Sequence, residues 1–187
     1  MANRMETRAT LENLNIEMNE WLSWFFSIPT DEEGNNIDYE IHTRDILSRL
    51  FNIEWETASI DDCVENLGAK WVDIIDPEID LDNPVQTLEL DITSAWSFPK
   101  GLIEEMFRKL SSMDQQIVIK GEFYDETYAP TGVFYFSKNV KEIKIVFTES
   151  IDEDRMWDDD DYREKIQEEL NEHLFILQSK SDAMNRT

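Results

Sequence analysis

The chain is 187 residues long and carries 42 acidic against 17 basic residues, a formal net charge of −25 at pH 7. Such an excess repels phosphate backbones and anionic membrane surfaces, which excludes direct nucleic-acid binding and charge-driven membrane attachment and points to a protein partner with a basic face. Six Trp, ten Phe and five Tyr in a chain that is 41% hydrophobic exclude the disordered acidic class, so the chain is expected to fold.

Residues Arg4 to Leu11 read as a first strand. Leu14, Met18, Trp21, Leu22 and Phe25 then recur at helical spacing and predict an N-terminal aromatic helix. Trp24 and Phe26 lie off that stripe; they are read as a second buried face, with an oligomer contact or second interface as the alternative. Thr30 to Tyr39 is polar around Gly34 and reads as a loop, and Thr43 to Phe51 as a second helix with Ile46, Leu47 and Leu50 inward. Ser59 and Asp62 stand at the spacing of a capping box, opening a short helix that Gly68 closes.

Lys70 to Ile75 follows as a strand, then a loop with Pro77 and Pro84. In Val85 to Thr93, Leu88, Leu90 and Ile92 alternate with Glu89, Asp91 and Thr93, which predicts a half-buried strand. Pro99 and Gly101 open a helix carrying Leu102, Ile103, Met106, Phe107 and Leu110. Ile117 to Phe123 and Gly132 to Phe136 predict a hairpin, and Ile143 to Phe147 a further strand. The last helix is expected from about Asp160 to Gln178, on a seam of Ile166, Leu170, Leu174 and Leu177, with a frayed polar tail from Ser179 to Thr187. This order predicts an α+β fold, an antiparallel sheet with helices on one face. Residues 1–60 are expected to pack on a core of 61–148, followed by an acidic arm and helix over 149–187.

The middle of the chain carries three runs with a shared likeness. They are CVENLGAKW from Cys63 to Trp71, TSAWSFP from Thr93 to Pro99, and YDETYAPTGVF from Tyr124 to Phe134. In content and order they resemble the motifs of a small ferredoxin-like domain family of tailed-phage open reading frames. Leu67 stands where that family prefers Trp, Phe98 stands for a Pro, and the spacing to Gly132 is longer. The resemblance covers about 70 residues, Asp62 to Phe134. It implies a ferredoxin-like (split βαβ) sheet and a phage origin, and it implies no activity. The same residues have a structural reading: Gly68 closes a helix, and Trp96 and Pro99 lock the turn into the next one.

Little in the chain points to catalysis. Of the two histidines, His42 and His173, the second sits on the last helix beside the apolar seam and reads as a core-edge or surface residue. The single cysteine, Cys63, excludes an intramolecular disulfide and a thiolate zinc site; among Asp61, Asp62 and Glu65 it reads as a buried small residue rather than a nucleophile. No phosphate loop, Gly-x-Ser-x-Gly or His-Glu-x-x-His run is present. Registers of a calcium loop starting at Asp76, Asp152 or Asp158 lack the required Gly. No cofactor and no dedicated metal site are expected. A hydrolase built on carboxylates and magnesium would draw on Asp73, Asp76, Glu78, Asp80, Asp82, Glu89 and Asp91, but its surface would repel a polyanion.

The strongest functional signal is Glu149 to Glu169, with eleven acids against three bases. If helical, it carries about one net charge per ~4 Å, against one per ~3.4 Å along a nucleic-acid strand. The expected binding residues are Asp152, Glu153, Asp154, Asp158, Asp159, Asp160, Asp161, Glu164 and Glu168, with Trp157 and Tyr162 as apolar anchors. The leading expectation is a non-enzymatic, phage-encoded inhibitor of a bacterial nucleic-acid-handling or defence complex (restriction, CRISPR or nuclease), acting by nucleic-acid mimicry. Its partner would be a bacterial protein or ribonucleoprotein with a basic surface, met in the cytoplasm of the infected host. The alternatives are a phage structural or assembly homo-oligomer, a homodimer included, and the metal-dependent hydrolase. No apolar leader opens the chain, and its longest nearly apolar run, Trp21 to Ile28, falls far short of the ~20 residues of a membrane helix, so a soluble protein is expected.

Overall fold

Every second residue from Met5 to Leu11 is buried, so the first segment of the chain is a strand with one face in a core. The computed structural model describes residues 3–27, 40–75, 77, 79, 84–126, 130–147 and 151–185, and of these not the side chains of Glu153, Asp154 and Trp157. The elements run β1 (Arg4–Glu12), α1 (Ile16–Phe25), β2 (Glu40–Ile41), α2 (Thr43–Phe51), α3 (Ile60–Leu67), β3 (Val72–Ile75), β4 (Thr87–Ala95), α4 (Lys100–Ser111), β5 (Val118–Asp125), β6 (Thr131–Phe136), β7 (Lys141–Phe147), α5 (Glu153–Asp158) and α6 (Asp160–Met184). The fold is α+β. The strands form one seven-stranded antiparallel sheet in the order β2-β3-β4-β1-β5-β6-β7. The expected loop at Thr30–Tyr39, and Asp76, Glu78, Asp80 and Asp82, lie outside the described residues. No helix among the described residues is long and apolar enough to cross a membrane.

β1 is the middle strand, paired over its length with β4 on one side and β5 on the other. The first residues of the chain are therefore the centre of the sheet, where residues 1–60 had been expected to pack on a core of 61–148. β4 and β5 flank β1 and are joined through α4.

Helices cover both faces, where one face was expected. On the first, α1 to α4 bring Met18, Leu22, Phe25, Ile46, Leu47, Leu67, Leu102, Met106 and Phe107 against Met5, Leu11, Ile74, Ile92, Ile119 and Phe134. Phe98 lies 4.6 Å from Phe123 and 5.0 Å from Phe134, ring centre to ring centre. β6 shows why the second face also needs a cover: all six of its residues are buried, and Val133 and Tyr135 point away from Phe134 and Phe136. Strict alternation with both sides apolar demands a second layer, and α6 supplies it.

Polar clamps fix the helices to the sheet. Thr43, at the start of α2, donates its hydroxyl to Val72 O and accepts from Val72 N–H. The buried Asn19 of α1 donates to Val85 O and accepts from Val85 N–H at the entrance to β4. Arg49 of α2 donates to Phe25 O and Ser27 O, satisfying carbonyls at the end of α1.

The capping box forms as expected: Asp62 N–H donates to Ser59 Oγ and Ser59 N–H to Asp62 Oδ2. These bonds to Ser59, its hydroxyl first, hold the Asp62 carboxyl below its ordinary pKa. Gly68 closes α3 at φ +81, in the left-handed region that favours glycine. A Cβ on Gly101 would lie 1.9 Å from Asn66 O, so glycine there lets α4 meet the end of α3. Ser97 donates to Gly68 O, and Lys70 Nζ lies 4.7 Å above the Trp96 ring. The first two of the three runs noted in the sequence thus lock the α3–β3 turn onto the β4–α4 turn. Trp96 holds φ +79 in that lock, uncommon for so large a side chain, and is half exposed.

Two expectations change here. Phe26 is buried against Phe25, with ring centres 5.0 Å apart, whereas Trp24 is 52% exposed. A contact through both residues is therefore closed, since Phe26 serves the core. Of the expected frayed tail, Ser179 to Met184 is instead the end of α6, where the buried Ser181 shares a 2.7 Å hydrogen bond with Ser137, and Arg186 and Thr187 lie outside the described residues.

Candidate functional site

The acidic segment is two helices rather than one. Asp152 caps α5 by accepting from Arg155 N–H. The chain turns at Asp159 (φ −123, ψ 95), whose side chain accepts from Tyr162 N–H and caps α6. Arg155 reaches forward along α5 to that carboxylate at 2.8 Å and lies 4.0 Å above the Tyr162 ring. The guanidinium first, then the Tyr162 amide, hold the Asp159 carboxyl below its ordinary pKa. Arg163 donates to Asp160 at 3.0 Å and to Met156 O at 2.8 Å. Two of the expected binding carboxylates, Asp159 and Asp160, are thus matched by the segment's own arginines. Tyr162 is half buried under α5 and packs on the second core, so it is not an outward anchor.

α6 is held on the sheet along its whole inner side. Ile166, Leu170 and Leu177 are buried with Val133, Tyr135, Val140 and Ile151. Lys180 pairs with Glu142, Lys144 donates to His173 Nδ1 at 2.8 Å, and Gln167 donates to Glu122 at 2.9 Å. With the helix pinned this way, the side chains on its opposite side stand in fixed order. Asp161, Glu164, Glu168 and Glu172, at steps of three, four and four residues, are exposed and lie on one outer stripe. None of the four has an ion pair among the described residues. Asp152 and Asp158 are exposed on the separate helix α5, and the side chains of Glu153, Asp154 and Trp157 lie outside the described residues.

The same outer side carries Phe175, 68% exposed, and Ile176, 50% exposed. Neither residue was among those expected from the sequence. Their signal was there, since they fall between Leu174 and Leu177 and so cannot join the inner seam.

At the far end of the sheet, three of the carboxylates considered for metal chemistry share the α6 side of the strands. Asp73 of β3 is paired with Thr93, and Asp91 and Glu89 follow on β4. Among the described residues, the side chains able to converge on one ion there are Glu40, His42 and Asp73. Cys63 is buried, and burial, aided by Asp62, raises its thiol pKa, which is the reverse of nucleophile activation.

No family model matches this chain, and neither a curated protein nor a solved structure is detectably similar to it.

Proposed function

We propose that this protein is a non-enzymatic binding protein whose working surface is the outer side of α6, and that its partner is a bacterial protein or ribonucleoprotein with a basic surface that otherwise holds nucleic acid. The observation that carries the reading is the row Asp161, Glu164, Glu168 and Glu172, without ion pairs among the described residues and on a helix fixed from behind. The row runs from Asp161 to Glu172, eleven helical steps or ~16 Å, so its carboxylates recur every ~5.5 Å. That is sparser than the ~3.4 Å repeat of a nucleic-acid strand. Recognition therefore rests on complementary charge and on the exposed Phe175, and less on phosphate-for-phosphate imitation. Charge steers the encounter and sets its salt dependence, while an aromatic that becomes buried supplies most of the affinity.

We infer in addition that the part of the sheet ordered β3-β4-β1-β5, with α4 crossing from β4 to β5, is a ferredoxin-like unit extended by β2 on one side and by β6 and β7 on the other. The strand order and the crossover support that reading. It agrees with the likeness of Asp62–Phe134 to a phage domain family, which is the ground for seeking the partner in bacteria and for inhibition of a nucleic-acid-handling or defence complex as its consequence.

The test is capture from bacterial lysate on the immobilised full chain, compared with D161N/E164Q/E168Q and with Phe175→Ala. A partner that is released by salt, displaced by added duplex DNA and lost in both variants supports the proposal. Undiminished capture of the same partner by D161N/E164Q/E168Q removes this face from the mechanism.

A further inference from the structure

The geometry points to a divalent transition-metal site at the β2–β3 corner of the sheet, formed by Glu40, His42 and Asp73. It stands on residues separate from the α6 surface and is independent of the binding role. The corner follows from the strand register. Glu40 pairs with Ile75 and Ile41 with Ile74, so the next step of the antiparallel ladder brings His42 opposite Asp73. Directly opposed residues point to the same side, as do residues two apart on one strand, and this places all three side chains together.

The distances suit one ion. His42 Nδ1 lies 2.9 Å from Asp73 Oδ1 and 3.9 Å from Glu40 Oε2, and the three ligand atoms all fall within 4.8 Å of one another. Bonds of ~2.0–2.2 Å from an ion to nitrogen and oxygen set neighbouring ligand atoms ~3.0–3.5 Å apart. Asp73 and His42 are already near that separation through the hydrogen bond they share, and an ion would replace its proton, which leaves Nδ1 for solvent or for Nε2. Glu40, with a side chain 41% exposed, closes the remainder by rotation.

The donor set chooses the class of metal. One imidazole nitrogen and two carboxylate oxygens favour Zn²⁺ and its neighbours over Mg²⁺ and Ca²⁺, which prefer oxygen throughout. Three protein ligands on partly exposed positions leave coordination sites to solvent. An ion here would also tie the two-residue strand β2 and the start of α2 to β3, fastening an edge that few backbone bonds hold.

The chain has two histidines, which supplies an internal control. Imidazole NMR of the full chain is followed during titration with Zn²⁺, and in parallel with Mg²⁺. The expected result is that the His42 signals move with about one equivalent of Zn²⁺ while those of His173, on α6, stay in place, and that Mg²⁺ at the same concentration moves neither. Equilibrium dialysis should show affinity for Zn²⁺ falling tenfold or more in Asp73→Asn and in Glu40→Gln. Parallel movement of both histidines would mean adsorption over an acidic surface and overturns the site, as does a His42 signal indifferent to excess Zn²⁺ or equally sensitive to Mg²⁺. Because the NMR titration needs no substitution, it decides the matter even where a variant fails to fold.

Discussion

The two faces of the sheet are stabilised by different means. The first is roofed by four helices and filled with interlocking rings, among them Phe98, Phe123, Phe134 and Phe136. Among the described residues the second carries α5 and α6, on a small cluster of Val133, Tyr135, Val140, Ile151, Ile166, Leu170 and Leu177. Toward β4 and β2 that face is polar, with Glu89 and Asp91 exposed. The contrast teaches where function can reside. A helix held by a thin seam on one side leaves its other side open to solvent, whereas the helices of the first face give their apolar sides to the core.

The sharpest test of this division is substitution within each core. Phe134→Ala removes a fully buried ring that touches Phe98 and Phe136, and should cost about 3–5 kcal/mol by urea denaturation. Leu170→Ala, in the thinner cluster, should cost about 2–3 kcal/mol, at the low end for a buried leucine, because solvent and the adjacent groove of Arg8, Glu122 and Leu174 can relax into the site. Equal losses from both would mean that the second face is as tightly built as the first.

A smaller effect isolates the α3 cap. Ser59→Ala should cost about 1 kcal/mol. The bonds from Ser59 lower the folded-state pKa of Asp62, so their stabilisation is full above the ordinary carboxylate pKa and disappears as pH falls through the depressed value. The difference in stability between wild type and Ser59→Ala should accordingly be present at pH 6 and shrink below about pH 4. The same measurement series can include Cys63, which should resist alkylation at pH 8 in the native chain and react fully in denaturant, being 3% exposed with a raised pKa.

Local patterns in the sequence were enough for much of this architecture. β1, β4, α4 and the Ser59–Asp62 cap all came from period and spacing within a dozen residues, which is the range over which backbone geometry acts. What escaped is set by contacts across the chain. The last turns of α6 are polar in sequence, yet Ser181 is anchored by Ser137, 44 positions earlier. Trp24 and Phe26 look alike as residues, yet Phe26, at the C-cap of α1, is buried against Phe25 while Trp24 is left out. Of the acidic site, the stretch was legible but its active side was not. The start of the last helix at Asp160 was legible; what was not is that Arg155 engages Asp159, that Arg163 pairs with the still exposed Asp160, and that the exposed row continues to Glu172 and Phe175. His42 and Asp73 are 31 positions apart and meet only through the β2–β3 register.

The smallest expected change in stability is the most telling for function. D161N/E164Q/E168Q alters three exposed carboxylates that make no ion pair among the described residues, and should shift stability by no more than about 0.5 kcal/mol. The Glu164 and Glu168 changes should act upward, since a chain of net charge −25 repels itself, while the loss of charge at Asp161, in the first turn of α6, offsets part of the gain through the helix dipole. Salt checks the cause: raising NaCl from 10 to about 300 mM shortens the screening length from ~30 Å to below ~8 Å, which should raise the melting temperature of the wild type more than that of the variant. Carboxylates retained for folding would lower stability when removed. A row whose removal leaves the fold intact or slightly firmer, while abolishing capture of a basic partner, is held in place for the partner alone.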